Sequence, residues 1–258
     1  MTHHYDEFVK FANFLADESS IIINKYFRTK ININKKKDST PVTIVDQNTE
    51  LKIRELISSK YPSHGILGEE YEQINKKAEF MWVIDPIDGT RSFIAGHKDF
   101  GTLIALLHNN KPILGIINCP AHNERWVGIK DHHTTCNNIK VSTSSIKKIE
   151  DSYLFTSGEF FYEPFLKKGF EKIKDQSKYF RYGGDCYMYG MLASGLIDVV
   201  IEDTLKAHDY MALVNIIEGA GGKITDKFGE NVSIESDGSL VASCNPNIHQ
   251  ELISIINS

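Results

Sequence analysis

Phe80-Met81-Trp82-Val83-Ile84-Asp85-Pro86-Ile87-Asp88-Gly89-Thr90 is the stretch on which the reading of this 258-residue chain turns. Its apolar opening predicts a buried strand over Met81–Ile84 that delivers two carboxylates to one spot. Magnesium-class ions take hard oxygen ligands, and two Asp in one tight turn can share them. Gly89 lets the backbone approach a ligand closely, and the exposed N–H groups of such a turn form an anion cradle. Metal ligands beside a phosphate cradle point to phosphoryl chemistry. Asp-Pro and Asp-Gly are also ordinary turn chemistry, so the motif alone decides nothing.

The chain is long enough to bury a full core. Its net charge of −5, mixed in sign, leaves no broad basic footprint for nucleic acid. Lys35-Lys36-Lys37 is short, is followed by Asp38, and reads as a solvated loop. No apolar run approaches membrane-spanning length. Asp6, Glu7, Asp17 and Glu18 interrupt the N-terminal apolar pattern, unlike a signal peptide. Cys119, Cys136, Cys186 and Cys244 lack a C-x-x-C pair and read as reduced, small buried hydrophobes in a cytoplasmic protein. His3-His4 and His132-His133 have no third ligand at zinc spacing.

Outward from the motif, helical spacing of Phe8, Phe11, Ala12, Leu15, Ile22 and Tyr26 predicts an opening helix from Tyr5 to Phe27. Asn32–Thr40 reads as a polar loop, and Thr43 with Asp46 as a capping pair opening a helix through Lys60. A short strand is expected at His64–Leu67, with further strands at Gly101–Leu107, Ile113–Asn118, Arg125–Ile129 and Ser152–Thr156. Asn109-Asn110 is the expected hairpin turn. Helices follow near Glu163–Lys174 and Tyr187–Ser194, then a strand at Ile197–Ile201. Tyr210–Glu218 reads as a helix stopped by Gly219-Ala220-Gly221-Gly222, a stop and not a dinucleotide fingerprint. Ser239–Ala242 and Asn247–Ile256 give a closing strand and helix. This order predicts layered α/β/α packing.

Three more acids stand near the motif in this reading. Glu69 follows the short strand, Asp46 opens the second helix, and Asp209 precedes the glycine-terminated one. Each has a structural alternative: a solvated Glu69-Glu70 pair, a capping-box partner at Asp46, an N-cap at Asp209. Together, Gly68-Glu69-Glu70, Trp82–Thr90 and His208–Gly222 resemble the inositol monophosphatase family of magnesium-dependent, lithium-sensitive phosphomonoesterases. Thr90–Gly96, Phe100–Leu107, Glu124–Gly128 and Arg181–Tyr187 are most similar to its histidinol-phosphate phosphatase branch, which implies a place in histidine biosynthesis. Ser92 stands where inositol monophosphatases usually carry Asn, and His208 where they carry Trp.

The resemblance implies an alternating α/β/α/β/α sandwich, one phosphatase unit of two tightly packed parts with a boundary near residues 140–150. Glu69, Asp85 and the Ile87 carbonyl would hold one Mg2+, and Asp85, Asp88 and Asp209 a second, with two or three ions per site. Asp46 and Thr90 would orient and deprotonate the attacking water. Asp88, Gly89, Thr90 and Asp209 would face the phosphate, with N–H groups of Gly89 and Thr90 gripping its oxygens. Gly184, Asp185, Cys186 and Glu202 would meet the leaving alcohol. Asp185 has an alternative as the cap of the Tyr187 helix, and Arg181 as partner to these acids. Asn32–Thr40 would act as a metal-dependent lid, with Lys36 facing the phosphate. A homodimer and a small phosphate monoester substrate are the expected partners. Inositol phosphate hydrolysis is the alternative activity, and a catalytically silent binding subunit the alternative of another class.

Overall fold

The two faces of the Phe80–Asp88 strand bury different residues, and the layering follows from that. In this computed structural model, residues 5–31, 33–35, 41–158 and 161–258 are described. Helix α1 (Asp6–Tyr26), the ribbon strands β1 (Ile33–Lys35) and β2 (Pro41–Thr43), and α2 (Ile44–Lys60) come first. A seven-stranded sheet follows in sequence order: β3 (Gly65–Gly68), β4 (Phe80–Asp88), β5 (Gly101–His108), β6 (Lys111–Cys119), β7 (Glu124–Ile129), β8 (Thr135–Cys136) and β9 (Ile139–Lys140). Only β3 and β4 run parallel within it. The short α3 (Thr90–Ile94) bridges β4 and β5. The second sheet uses β10 (Tyr153–Thr156), β11 (Tyr179–Tyr182), β12 (Val199–Glu202), β13 (Lys223–Thr225) and β14 (Leu240–Ser243), in the order β11-β10-β12-β14-β13. Around it lie α4 (Pro164–Gln176), α5 (Asp185–Ala193), α6 (Ala207–Tyr210), α7 (Leu213–Gly219) and α8 (Pro246–Ile256).

Side chains alternate across a strand, so each sheet can serve two cores. Trp82 and Ile84 of β4 pack with Phe11, Leu15, Ile53 and Ile57 of α1 and α2. Met81 and Val83 point the other way, into a core shared with α5, α7 and the inner face of the second sheet at Val200 and Ala242. The outer face of that sheet, at Leu154, Val199 and Val241, packs on α4 and α8. The layers are therefore α/β/α/β/α, the sandwich that the resemblance implied and two layers more than the element order predicted. Gly115 and Gly128 let α7 lie directly on the first sheet: a Cβ on Gly115 would sit 1.9 Å from the Ala212 carbonyl oxygen. Burial of both faces explains why β4 and β5 read as continuous apolar runs.

Several boundaries differ from the expectation. Ile33–Lys35 is a strand, not loop, because its backbone pairs antiparallel with Pro41–Thr43. Asn32, residues 36–40 with Lys36, and His3-His4 lie outside the described residues. Asn109 and Asn110 both take the left-handed φ (49° and 62°) that a tight hairpin needs. The expected Tyr210–Glu218 helix is two pieces, α6 and α7, so Asp209 lies inside a helical turn and not ahead of one. Helix α5 begins at Asp185, two residues early. All four cysteines are free thiols. No helix among the described residues is long and apolar enough to cross a membrane.

Candidate active site

At the end of β4 the ladder to β5 slips between Asp85 and Asp88. Pro86 has no N–H to give the ladder, which favours a bulge there; its carbonyl instead accepts the Thr102 hydroxyl at 2.9 Å. The slip brings both carboxylates to the same cavity, of about 270 Å³, between the two sheets' ends. Glu69, Asp185, Glu202, Asp203 and Asp209 also line it, with Ile87, Gly89, Thr90 and Arg91. One oxygen each from Asp85, Asp88 and Asp209 lie within 4.8 Å of one another; Glu69, Asp85 and His208 form a second such set. Asp85 belongs to both.

Backbone amides hold these acids in place. Asp85 Oδ1 accepts the Ile87 N–H at 2.9 Å, and Asp209 Oδ2 the Lys206 N–H at 2.7 Å. Asp88 Oδ2 accepts the Cys186 N–H. Each carboxylate thus has one oxygen fixed by a charge-assisted bond and a second oxygen free of that bond. The electrostatic cost of this crowding is large. Burial first, then the charges of Glu69, Asp88 and Asp209, drives Asp85 well above the usual carboxylate range. Asp88 is raised likewise by burial, then by Asp185, Asp209 and Glu202. Carboxylates so crowded need either protons or a cation, and an all-oxygen donor set beside an open cavity fits a hard divalent ion.

Asp46 sits behind this cluster. Thr43 caps α2, donating its N–H (2.8 Å) and hydroxyl (2.6 Å) to Asp46 Oδ2. Asp46 Oδ1 is 3.1 Å from the Thr90 hydroxyl, which also lies 3.0 Å from the Ile87 carbonyl. The capping and site readings of Asp46 are therefore compatible, one oxygen serving each. Burial, with a smaller contribution from Glu69, raises the Asp46 carboxyl against the lowering pull of Thr43.

The other side of the cavity comes from α5 and β12. Asp185 is not a helix cap: it is the first helical residue, at φ 41°, after Gly183 and Gly184 at φ 92° and 128°. This chain path lays Asp185 on Gly89, where an added Cβ would be 2.9 Å from the Asp185 Cβ. Ser92 donates to Asp185 Oδ2 at 2.6 Å. Glu202 is buried, with its oxygens accepting the Ser157 N–H (3.2 Å) and the Tyr189 hydroxyl (2.6 Å). Burial outweighs those bonds and pushes Glu202 up to about 7. The Cys186 side chain is buried in the central core, so only its N–H reaches the site. Gly184 lines a neighbouring cavity with Tyr187 and Arg181. Arg181 lies over the Phe155 ring and forms no ion pair with Asp185 or Glu202 among the described residues.

Two features escaped the sequence reading. Glu50, fully buried on α2, accepts the Glu70 N–H at 2.7 Å and the Tyr71 N–H at 3.3 Å. Arg54 donates to Glu50 at 2.7 Å and to the carbonyls of Tyr71 and Glu72. This pair clamps the turn that carries Glu69, and its signal was position: Glu50 lies one helical turn after Asp46. The second is His208, beside Asp209.

A model of the inositol monophosphatase family matches residues 4–258. The chain belongs to the inositol monophosphatase family. A bifunctional phosphatase IMPL2 (chloroplastic) of Arabidopsis thaliana is 45% identical over 240 residues, 92% of this chain and 69% of the plant protein. A histidinol-phosphatase of Chlorobaculum parvum is 33% identical over 95% of this chain and 94% of its own. Among solved structures, an inositol monophosphatase from Zymomonas mobilis superposes with a TM-score of 0.90 at 38% identity, covering 99% of both chains. This family member is accordingly a phosphatase acting on phosphoric monoesters.

Proposed function

We propose that the chain hydrolyses histidinol phosphate with the help of Mg2+ held by Glu69, Asp85, the Ile87 carbonyl, Asp88 and Asp209. The observation that carries this reading is the pair of donor sets sharing Asp85, next to the Asp46–Thr90 pair. Divalent ions bound there would neutralise charge on the phosphoryl group and make a water more acidic. The Thr90 hydroxyl, donating to Asp46, turns its lone pairs toward the cavity and can accept a proton from the attacking water. That proton then has a path to Asp46, whose buried carboxyl is a stronger base than an exposed one. With the Thr90 proton on Asp46, the Ile87 carbonyl keeps both lone pairs for a cation. The first-turn N–H groups of α3 lack partners within their own helix, and those at Gly89 and Thr90 would take phosphate oxygens. Positioning and charge suffice for phosphoryl transfer, so no side-chain nucleophile is invoked.

The choice of substrate rests on the relatives and on Asp185. Histidinol phosphate carries an ammonium that a carboxylate at the leaving-group side can pair with, whereas inositol offers neutral hydroxyls. The Chlorobaculum relative is a histidinol-phosphatase, which agrees with this choice. The second reading, inositol monophosphate hydrolysis by the same residues, is favoured by the Zymomonas structure. Phosphate release from histidinol phosphate and from inositol 1-phosphate, compared as kcat/KM with and without Mg2+, tests both readings. A preference for inositol phosphate would overturn the substrate, and full activity in chelator would overturn the metal. The working unit is proposed to be one phosphatase fold paired as a homodimer, which light scattering at micromolar concentration checks.

A further inference from the structure

His208 is over nine-tenths buried, yet its ring forms no hydrogen bond among the described residues. A buried imidazole normally places both nitrogens, one as donor and one as acceptor. Here Nε2 lies 3.5 Å from Asp209 Oδ1. A ring nitrogen also shares a 4.8 Å sphere with one oxygen each of Glu69 and Asp85. The fold enforces this placement. Asp209 Oδ2 accepts the Lys206 N–H, which fixes the single turn of α6 and with it the position of His208 against the end of β4. A buried imidazole without a hydrogen bond, set among three carboxylates, is a poor arrangement in isolation and a good one around a cation.

We propose that His208 is a nitrogen ligand to the cation held by Glu69 and Asp85. The inference rests on reading the carboxylate cluster as a divalent-cation site, and it divides that site in two. The Glu69–Asp85–His208 half is a mixed nitrogen and oxygen set, while the Asp85–Asp88–Asp209 half offers oxygen alone. Magnesium takes oxygen ligands, and imidazole suits first-row transition ions. The first half therefore prefers an ion such as Mn2+ to Mg2+, and the second half does not discriminate in this way.

Pulsed electron paramagnetic resonance of the full chain loaded with Mn2+ reads a directly bound nitrogen through its hyperfine coupling. Wild-type protein should show 14N coupling that becomes 15N coupling when only histidine is labelled. His208→Phe should lose it while still binding Mn2+, with affinity weaker by at least the roughly 10–100-fold already seen when only the support of a metal ligand is removed. The ratio of Mg2+ to Mn2+ dissociation constants, from calorimetry, should fall by a similar factor. Bound Mn2+ without directly coordinated histidine nitrogen in wild-type protein would overturn the proposal and leave the cation site standing. Failure of both Mn2+ and Mg2+ to bind would overturn the two together. Should His208→Phe not fold, His208→Gln and the labelled wild-type spectrum decide the question, since neither depends on that variant.

Discussion

The two sides of the cavity hold their acids by different means. On the β4 side, Asp85, Asp88 and Thr90 come from one short segment, and the ladder slip and the Asp85–Ile87 bond are local. On the other side, Asp185, Glu202 and Asp209 arrive from α5, β12 and α6, and Asp185 and Glu202 depend on distant partners. Ser92 holds Asp185 across 93 positions and Ser157 holds Glu202 across 45, and the same side reaches back to Asp88 through the Cys186 N–H. The near side is thus a motif, and the far side is an assembly. Chemistry that needs only the near side should fail sharply on single substitutions there, while far-side changes should alter affinity and selectivity.

The largest effect is expected from Asp88→Asn. Asn keeps an oxygen for the Cys186 N–H, so the fold should survive while one charge leaves the Asp85–Asp88–Asp209 set. Turnover should drop to background at any Mg2+ concentration. A variant keeping half of wild-type kcat at saturating Mg2+ would break the assignment of Asp88 to the near side. Thr90→Ala comes next. Loss of one positioned acid–base group costs about 10²–10⁴-fold in rate, and the lower end is expected because Asp46 remains. Metal affinity should stay within a few-fold, so damage confined to metal binding would refute the Thr90 role.

Glu50→Gln sharpens the comparison, because it touches the site only through the turn carrying Glu69. Losing such support typically weakens metal binding by about 10–100-fold. The Mg2+ midpoint should shift by that factor, with kcat at saturation nearly preserved. Arg54 loses its buried counter-charge at the same time, so the melting temperature should fall too. An unchanged Mg2+ midpoint in a destabilised protein would reduce the clamp to a purely structural device.

The same contrast explains what could be read in advance. Asp85 to Thr90, the Asp46 capping pair and the apolar strands are contiguous patterns, which gave the elements and three layers, while the full five-layer sandwich came with the family resemblance. The alternative of Asp185 as a cap arose because apolar periodicity begins at Tyr187, whereas the helix starts at Asp185, where Gly183 and Gly184 allow positive φ. The short strands β8, β9 and β13 are too brief for an alternating signal, and β11, as long as β10, is mostly exposed and carries none. The Tyr210–Glu218 run read as one helix because apolar residues continue through Met211 and Ala212, which keep helical backbone angles at the joint between α6 and α7. Glu50 offers only its place one helical turn after Asp46, and His208 no more than its place beside Asp209: their roles arise when α2 and α6 converge on the end of β4.

Asp185→Asn tests the far side as a selector. Charge-assisted hydrogen bonds contribute about 1.5–3 kcal/mol against about 0.5–1.5 for neutral ones, so loss of the charge should discriminate by about tenfold. KM for histidinol phosphate should rise about tenfold more than KM for inositol 1-phosphate, with kcat little changed. Equal increases for both substrates would remove Asp185 as the reader of the ammonium.

Glu202→Gln should affect turnover least, and its signature is in stability against pH. Burial raises the folded carboxyl from 4.5 to about 7. Below pH 4.5 it is protonated in both folded and unfolded chains and contributes nothing to the balance. Between those values the unfolded carboxyl ionises while the folded one keeps its proton, so stability falls as pH rises, and above pH 7 the penalty is constant. At 1.36 kcal/mol per unit the penalty has an upper bound of about 3 kcal/mol. Asp85 and Asp88 act in the same direction, and Asp88 is itself raised in part by Glu202, so the difference between wild type and Glu202→Gln reports Glu202 together with its push on Asp88. The wild type should therefore lose more stability than the variant in chemical denaturation between pH 5 and 8. Parallel curves would show that Tyr189 and Ser157 already hold Glu202 as a carboxylate, making the far side more negative than its burial implies.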